Sequence, residues 1–516
     1  NLSKDQSEAW AIFGVYPHFS WMPNNKDILI WAQGKINKIN IDSKQITNIP
    51  FQVNQEIKLA KTHRVKRNVF EEKFTSKMIY KKELPEGIPK RITTLSDFEA
   101  EPIFSVDGKS VLFVSWNDEN LGAIYKVNLD GTGLDKITQE KGIYRTPAFN
   151  SSGSKIVYRK EAGNGDQGFD FTKKTGIYIA NTDGGNAKRV SKTGEFPIFS
   201  ADDKRIFFQT GGAFFGGLTK KLKSVDLNGK NERSHFSSKL ANRLVPSHDN
   251  KWIAFIHLHK LFVAPFVMNG SEINLDQETT SFNVESLSKN AGINLHWSAE
   301  NQKVHWTLGD SYFSKSIVNN TTDPFSKTNL TTKDEVEIKI NLKEKSDVPE
   351  GRIAFKNARI ITMKGNQIFE DGTIIIHNNK IEKVGKTSAI TIPSDAKVYN
   401  MNGKTIMPGM VDVHAHVGAF RNGLSTQKHW QFYANLAFGV TTSHDPSVHT
   451  AAAFTLEELQ KSGQLVGPRM FSTGFILYGA EGDFKAVVNN LDDARFAIAR
   501  TKAFGAKSIK SYNQPR

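Results

Sequence analysis

The chain has 516 residues, room for about three domains of ordinary size, and 38% apolar residues, enough for a packed core in each. It has no cysteine, which excludes disulfide staples and thiolate metal sites and leaves His, Asp, Glu or a modified Lys as metal donors. Much of the +15 net charge sits in 58–91, but basic residues there alternate with apolar ones and Glu. That is the pattern of a solvated outer strand rather than a nucleic-acid footprint.

The first three hundred residues repeat. The phrases "PHFSWMPNNKDILIW", "PIFSVDGKSVLFVS", "PAFNSSGSKIVYRK" and "PIFSADDKRIFFQT" begin at 17, 102, 147 and 197, and weaker copies begin at 243 and 294. Their Ser-like positions are Ser20, Ser105, Asn150, Ser200, Ser247 and Ser298. After the wide first gap, which holds the basic run, the spacing suits one four-stranded propeller blade per copy. Each unit joins a turn such as Asp107-Gly108 to a β-rich run, and the next strand ends in another Asp-Gly turn, as in "IYKVNLDGTG". "GNGDQG" at 163–168 fits a dinucleotide fingerprint, but a β pattern follows it, so a hairpin loop within the third blade is expected.

"PIFSVDGKSVLFVS" with "IYKVNLDGTGLDKIT" resembles the TolB-like propeller family over 15–313. The expected fold class is therefore multidomain, opening with an all-β six-bladed TolB-like propeller at 1–313. A polar linker and connecting strand, 314–350, should follow.

Three short β runs in 351–406, bounded by Gly, Asn or Asp, predict a small antiparallel β-sandwich, with His377 as a structural strand residue. From 407 the rhythm becomes strand–helix alternation. Strands are predicted at 409–416, 440–446, 469–479 and 506–513, and helices at 426–439, 450–463 and 491–505. Together they form the first half of a (β/α)8 TIM barrel over 407–516.

The chemistry concentrates in "MPGMVDVHAH". Residues two apart on a strand share a face, so Asp412, His414 and His416 should point together, toward the barrel interior. The two imidazoles stand at the C-terminal strand end, where such barrels build active sites, and can share one divalent cation. A metal there acidifies a bound water and polarises a carbonyl oxygen.

"KTIMPGMVDVHAH", with the β runs before it and "FGVTTSHDPS" after it, resembles the amidohydrolase superfamily over 352–516. The resemblance makes His414 and His416 ligands of one or two divalent ions, most often zinc. It places Lys510 of "SIKSYN" where members carry a carboxylated lysine bridging two metals. The alternative for Lys510 is a solvent-facing or carboxylate-paired side chain. His444 and Asp445 end the second strand, where they either contact substrate or neighbouring groups or cap the next turn. Tyr478 could line a substrate pocket.

The implied activity is metal-dependent hydrolysis of amide, peptide or cyclic-amide C–N bonds, prolidase-like or imidazolonepropionase-like. The general base is expected beyond Arg516, so the 516-residue piece reads as a truncated fragment, open at both ends and inactive alone. The order propeller then barrel resembles exported bacterial TolB–amidohydrolase fusions, which implies a periplasmic or secreted location, although no signal peptide opens the chain. The partners implied are a small-molecule or peptide substrate and a protein or peptide at the propeller, with oligomers possible. No apolar window nears the roughly 20 residues of a membrane span. The competing reading is a non-enzymatic peptide- or protein-binding propeller with a degenerate barrel. A serine peptidase reading lacks its Gly-x-Ser-x-Gly elbow.

Overall fold

The computed structural model describes residues 19–511 apart from 33–34, 53, 55–70, 77–90, 165–168, 171–173, 212–218, 269, 289–290, 320–329, 334, 418–427, 479–484 and 489. Most of the basic run 58–91 lies outside these residues. The chain is mostly β and divides into two compact units, Asn1–Val69 and Phe70–Arg516. In the first, strands Phe19–Trp21, Asp27–Ala32, Lys35–Asn40 and Ile46–Ile49 form one antiparallel meander.

The second unit opens with five more meanders, whose first strands are Phe98–Phe104, Ile143–Phe149, Glu195–Phe199, Ala241–Pro246 and Ile293–Trp297, the third extended by Ile273–Asn274 parallel to Arg233–Lys239. The repeated serine has a local cause. In Ser105, Ser200, Ser247 and Ser298 the hydroxyl accepts the backbone N–H five residues on, at 2.9–3.1 Å, and in Asn150 the side-chain oxygen does the same at 2.8 Å. The Ser105, Ser200 and Ser247 hydroxyls also donate to the Asp two residues on, at 2.6–2.7 Å, which fastens the turn into the second strand.

A second device ties neighbouring copies together. Asp203, Asn250 and Asn301 hold left-handed backbone, φ 54–56°, a region that short polar side chains tolerate. Their side-chain oxygens accept the N–H of Ser151, Ala201 and His248 in the preceding turn at 2.7–3.1 Å.

The sequence "GNGDQG" begins a hairpin, since Gly163–Asn164 pairs antiparallel with Phe169–Asp170. The stretch 314–334, expected as a linker, is partly strand. Ser311–Asn319 continues the last sheet, and Leu330–Thr332 and Val336–Lys339 both return along it. Leu342–Lys345 then pairs with Lys73–Ser76.

The segment 351–406 departs from the expected antiparallel sandwich. Among the described residues it is one mixed sheet. Arg352–Ile361, Ile368–His377 and Lys380–Lys386 run antiparallel, but Ala396–Asn400 and Thr405–Ile406 lie parallel to Arg352–Ile361. The run 387–395 is long enough to carry the chain back to the start of the first strand, and local β patterning does not reveal strand direction. His377 is exposed at the end of its strand.

Three short parallel strands follow, Met410–Asp412, Val440–Asp445 and Arg469–Ser472, with helices Trp430–Ala437, Thr450–Lys461 and Leu491–Phe504. The third helix has Asn490 accepting the Asp493 N–H at its start and Gly505 in left-handed conformation at its end. Three predicted strands are shorter than expected, and that predicted at 409–416 keeps only Met410–Asp412. The run 469–479 breaks at 473–475, where Thr473 turns its hydroxyl onto Pro446 O, and resumes at Ile476–Tyr478. In 506–511 only Ser511 bridges a neighbour, Leu477. No closed barrel forms among the described residues.

These helices pack directly on the sheets. Phe454 and Phe504 enter the core built by Trp252, Trp297, Trp306 and Phe313. Gly309 lies against the third helix so closely that a Cβ would stand 2.1 Å from Ala503 O. Arg500 Nε donates to Ala291 O at 3.2 Å. Asp118 accepts the Lys428 N–H at 2.7 Å, and Phe98 packs against the core of the parallel-strand segment. Among the described residues no helix is long and apolar enough to cross a membrane.

Candidate metal centre

The strand Met410–Asp412 ends because Asp412 folds its carboxylate onto the His414 N–H at 3.0 Å, an Asx turn. Ala415 N–H then donates to His444 O at 3.0 Å, which keeps 413–416 alongside the second strand. Val413 is exposed, and inside–outside alternation begins only after it. Ala415 and Val417 are buried against Phe432, Leu456 and Met470, while His414 and His416 face outward together. Their rings stand edge to face with centroids 5.1 Å apart.

Beneath them is Asp445, only 2% exposed at the end of the second strand. Its Oδ1 lies 3.1 Å from His416 Nδ1 and also accepts the Ser447 N–H at 3.1 Å. Its carbonyl accepts from the Ser472 hydroxyl at 2.8 Å and the Thr473 N–H at 3.2 Å, so the third strand holds the carboxylate in place. A proton on Nδ1 facing Asp445 leaves Nε2 of His416 as the lone-pair donor.

Lys510 is close to this arrangement without touching the imidazoles. Its Nζ reaches Ser447 Oγ at 3.5 Å, and its carbonyl accepts the Leu477 N–H at 2.9 Å. Burial pulls its ammonium pKa down, and Asp445 partly opposes the shift. His444 turns to the other side, with Nε2 3.1 Å from Ser508 Oγ. Tyr478 ends the strand Ile476–Tyr478, and its side chain lies outside the described residues, as does most of "YGAEG". Among the described residues no group of three His, Asp or Glu side chains forms a ready-made metal cage. The donor set present is two imidazoles, one of them braced by a buried carboxylate, with a lysine nearby.

Sequence spacing pairs His414 with His416 but gives no sign that Asp445, 29 residues on, lies under the ring. The available signal was the parallel pairing of the first two strands, which sets 412 beside 443.

No family model matches the chain. A 5-methylthioadenosine/S-adenosylhomocysteine deaminase of Bacillus thuringiensis is 28% identical over 161 residues, 30% of this chain and 36% of that enzyme. An imidazolonepropionase of Vibrio cholerae is 39% identical over 64 residues, 12% of this chain and 15% of that one. The chain is thus similar to these enzymes over part of its length. TolB from Acinetobacter baumannii is similar at 15% identity and a TM-score of 0.35, over 60% of this chain and 61% of that one. The matches thus span about a third or less of the curated relatives' length.

Proposed function

We propose that the chain carries the metal-binding opening of an amidohydrolase that cleaves amide, peptide or cyclic-amide C–N bonds, in the manner of prolidases or imidazolonepropionases. In this reading 1–313 is a six-bladed propeller, 314–350 a connection, 351–406 the sheet preceding the barrel and 407–516 half of a (β/α)8 barrel. The observation that supports it most is the outward-facing pair His414 and His416, 5.1 Å apart, with His416 Nδ1 on the buried Asp445.

His414 and His416 would hold a divalent cation, zinc by resemblance, and by the same resemblance Lys510 would contribute as a carbamate. Such an ion supplies Lewis-acid polarisation of a carbonyl and acidifies a water. The chain's own residues prepare for it. Asp445 fixes the tautomer and direction of His416, and Asp412 fixes the backbone turn that presents His414. His444 and Tyr478 are the candidates for substrate contact. A periplasmic or secreted location accompanies this reading, by resemblance alone.

Zinc binding by the 516-residue chain tests it, measured by equilibrium dialysis. His414→Ala and His416→Ala should each abolish stoichiometric binding, and Asp445→Asn should weaken it about 10–100-fold. Stoichiometric zinc that survives both His substitutions sinks the site. Absence of zinc in the wild-type chain favours the alternative, a propeller that binds peptides or proteins beside a barrel segment without catalysis.

A further inference from the structure

The first strands of successive sheets hold a second polar cluster, in the TolB-like part. Pairing slips between Ala100 and Ile103, Arg145 and Ala148, Glu195 and Ile198, and Ala241 and Arg243. At three of these bulges Glu101, Thr146 and Phe196 take left-handed backbone, φ 53°, 46° and 52°. Bulges re-aim side chains, and strained backbone of this kind gathers at functional sites.

Most of the charges saturate one another. Glu101 receives Arg145 through Nε and Nη2, and its other oxygen takes the Thr146 N–H. Glu195 is held by Arg159 at 3.1 Å and by Lys220 at 3.4 Å, and Glu161 lies 3.3 Å from Arg159. Four cations, counting Arg243, thus meet three carboxylates. Arg243 is the one left over. Its guanidinium stacks on the Phe196 ring at 3.5 Å, and its Nη1 is enclosed without a hydrogen-bond partner among the described residues.

Two further enclosed donors lack partners there. Arg145, 7% exposed, leaves Nη1 unused, and Gln209, 1% exposed, leaves Nε2 unused. Both belong to the same neighbourhood. Both arginines feel the fields of Glu101 and Glu195. Gln209 pairs across the sheet with Glu195, and its Oε1 accepts the N–H of Leu244, the residue after Arg243, at 2.8 Å. Buried donors left without acceptors are costly and call for a ligand or ordered water.

We propose that Arg243, Arg145 and Gln209 form a carboxylate-binding site at these strand ends. One surplus positive charge suits a monoanion, whereas a phosphate dianion would face Glu101 and Glu195. A guanidinium held over an aromatic ring keeps its planar fork of donors, which a carboxylate matches bidentately. The carboxylate could come from a free small acid or from the C-terminus of a polypeptide. The same strand ends adjoin the amidohydrolase-like segment, since Phe98, three residues before Glu101, packs into its core. The site does not depend on the metal reading.

Titration calorimetry of the full chain tests the proposal with acetate, acetyl-Ala-Ala, acetyl-Ala-Ala-amide and inorganic phosphate. One molecule of acetyl-Ala-Ala per chain should bind, with the amide and phosphate at least tenfold weaker. Arg243→Gln should lose at least tenfold and Arg243→Lys at least threefold, while His414→Ala changes nothing. Equal binding of acetate and acetyl-Ala-Ala assigns small acids, and tighter peptide binding assigns a chain terminus. The proposal is overturned if no carboxylate probe saturates, if Arg243→Lys binds as well as wild type, or if His414→Ala removes the binding.

Discussion

The repeated antiparallel sheets and the parallel-strand segment treat charge in opposite ways. In the repeated sheets, Arg145 is buried and bound on two nitrogens to Glu101, a pairing between strands 44 residues apart. In the parallel-strand segment, His416 leaves 54% of its side chain open, and burial falls on the carboxylate behind it, Asp445 at 3%. The first arrangement consumes its charges to hold sheets together. The second withholds one lone pair from the fold and so leaves it for chemistry.

That contrast can be broken most severely at Glu101. Glu101→Ala should cost about 3–5 kcal/mol in chemical denaturation, because it leaves the Arg145 guanidinium buried and unpaired. A loss below about 1 kcal/mol would show that the pair is not part of the framework.

Acid should act next. Burial pushes His235 and His429 down to about 4 from the ordinary 6.5, with Arg205 and Arg233 adding to the effect at His235. The unfolded chain therefore takes up protons that the fold refuses. The stabilisation is complete above pH 6.5 and is lost as pH falls toward 4, roughly 3 kcal/mol for each group. Thermal melts across this range should show the decline, and His429→Leu should flatten it. An unchanged slope in that variant would place the proton uptake elsewhere.

Smaller again is the latch between repeats. Asn250→Ala removes the acceptor for Ala201 N–H and puts a Cβ-bearing residue without a local hydrogen bond at φ 54°. About 1–2 kcal/mol should be lost. Asn250→Gly should recover part of this, and equal losses in both variants would assign the whole effect to the hydrogen bond.

The smallest effect is expected at the candidate centre. His414→Ala should change stability by no more than about 0.5 kcal/mol, since the side chain is exposed. A large loss would make His414 a framework residue and erase the distinction between the two regions.

Much of this was legible in the chain because it is local. The recurring Ser at 105, 200, 247 and 298 marks a turn closed within five residues, and His414 and His416, two apart in the sequence, are both exposed. Helix ends at Asn490 and Gly505 follow from capping. Direction and depth were not legible. Ala396–Asn400 runs parallel to its neighbour although its pattern suited either sense. Lys510 sits in a segment with a single bridge where a full strand was expected.

By itself, then, the sequence determined the repeat unit, the alternation of the histidine pair and the switch to strand–helix order at 407, all set by contacts a few residues apart. Only the tertiary structure decided that Asp445 lies under His416 and that Arg243 is left without a carboxylate beside Phe196. Both depend on which distant strands become neighbours. That choice belongs to the packing of whole sheets, where a buried charge must find its partner across the fold or go without one.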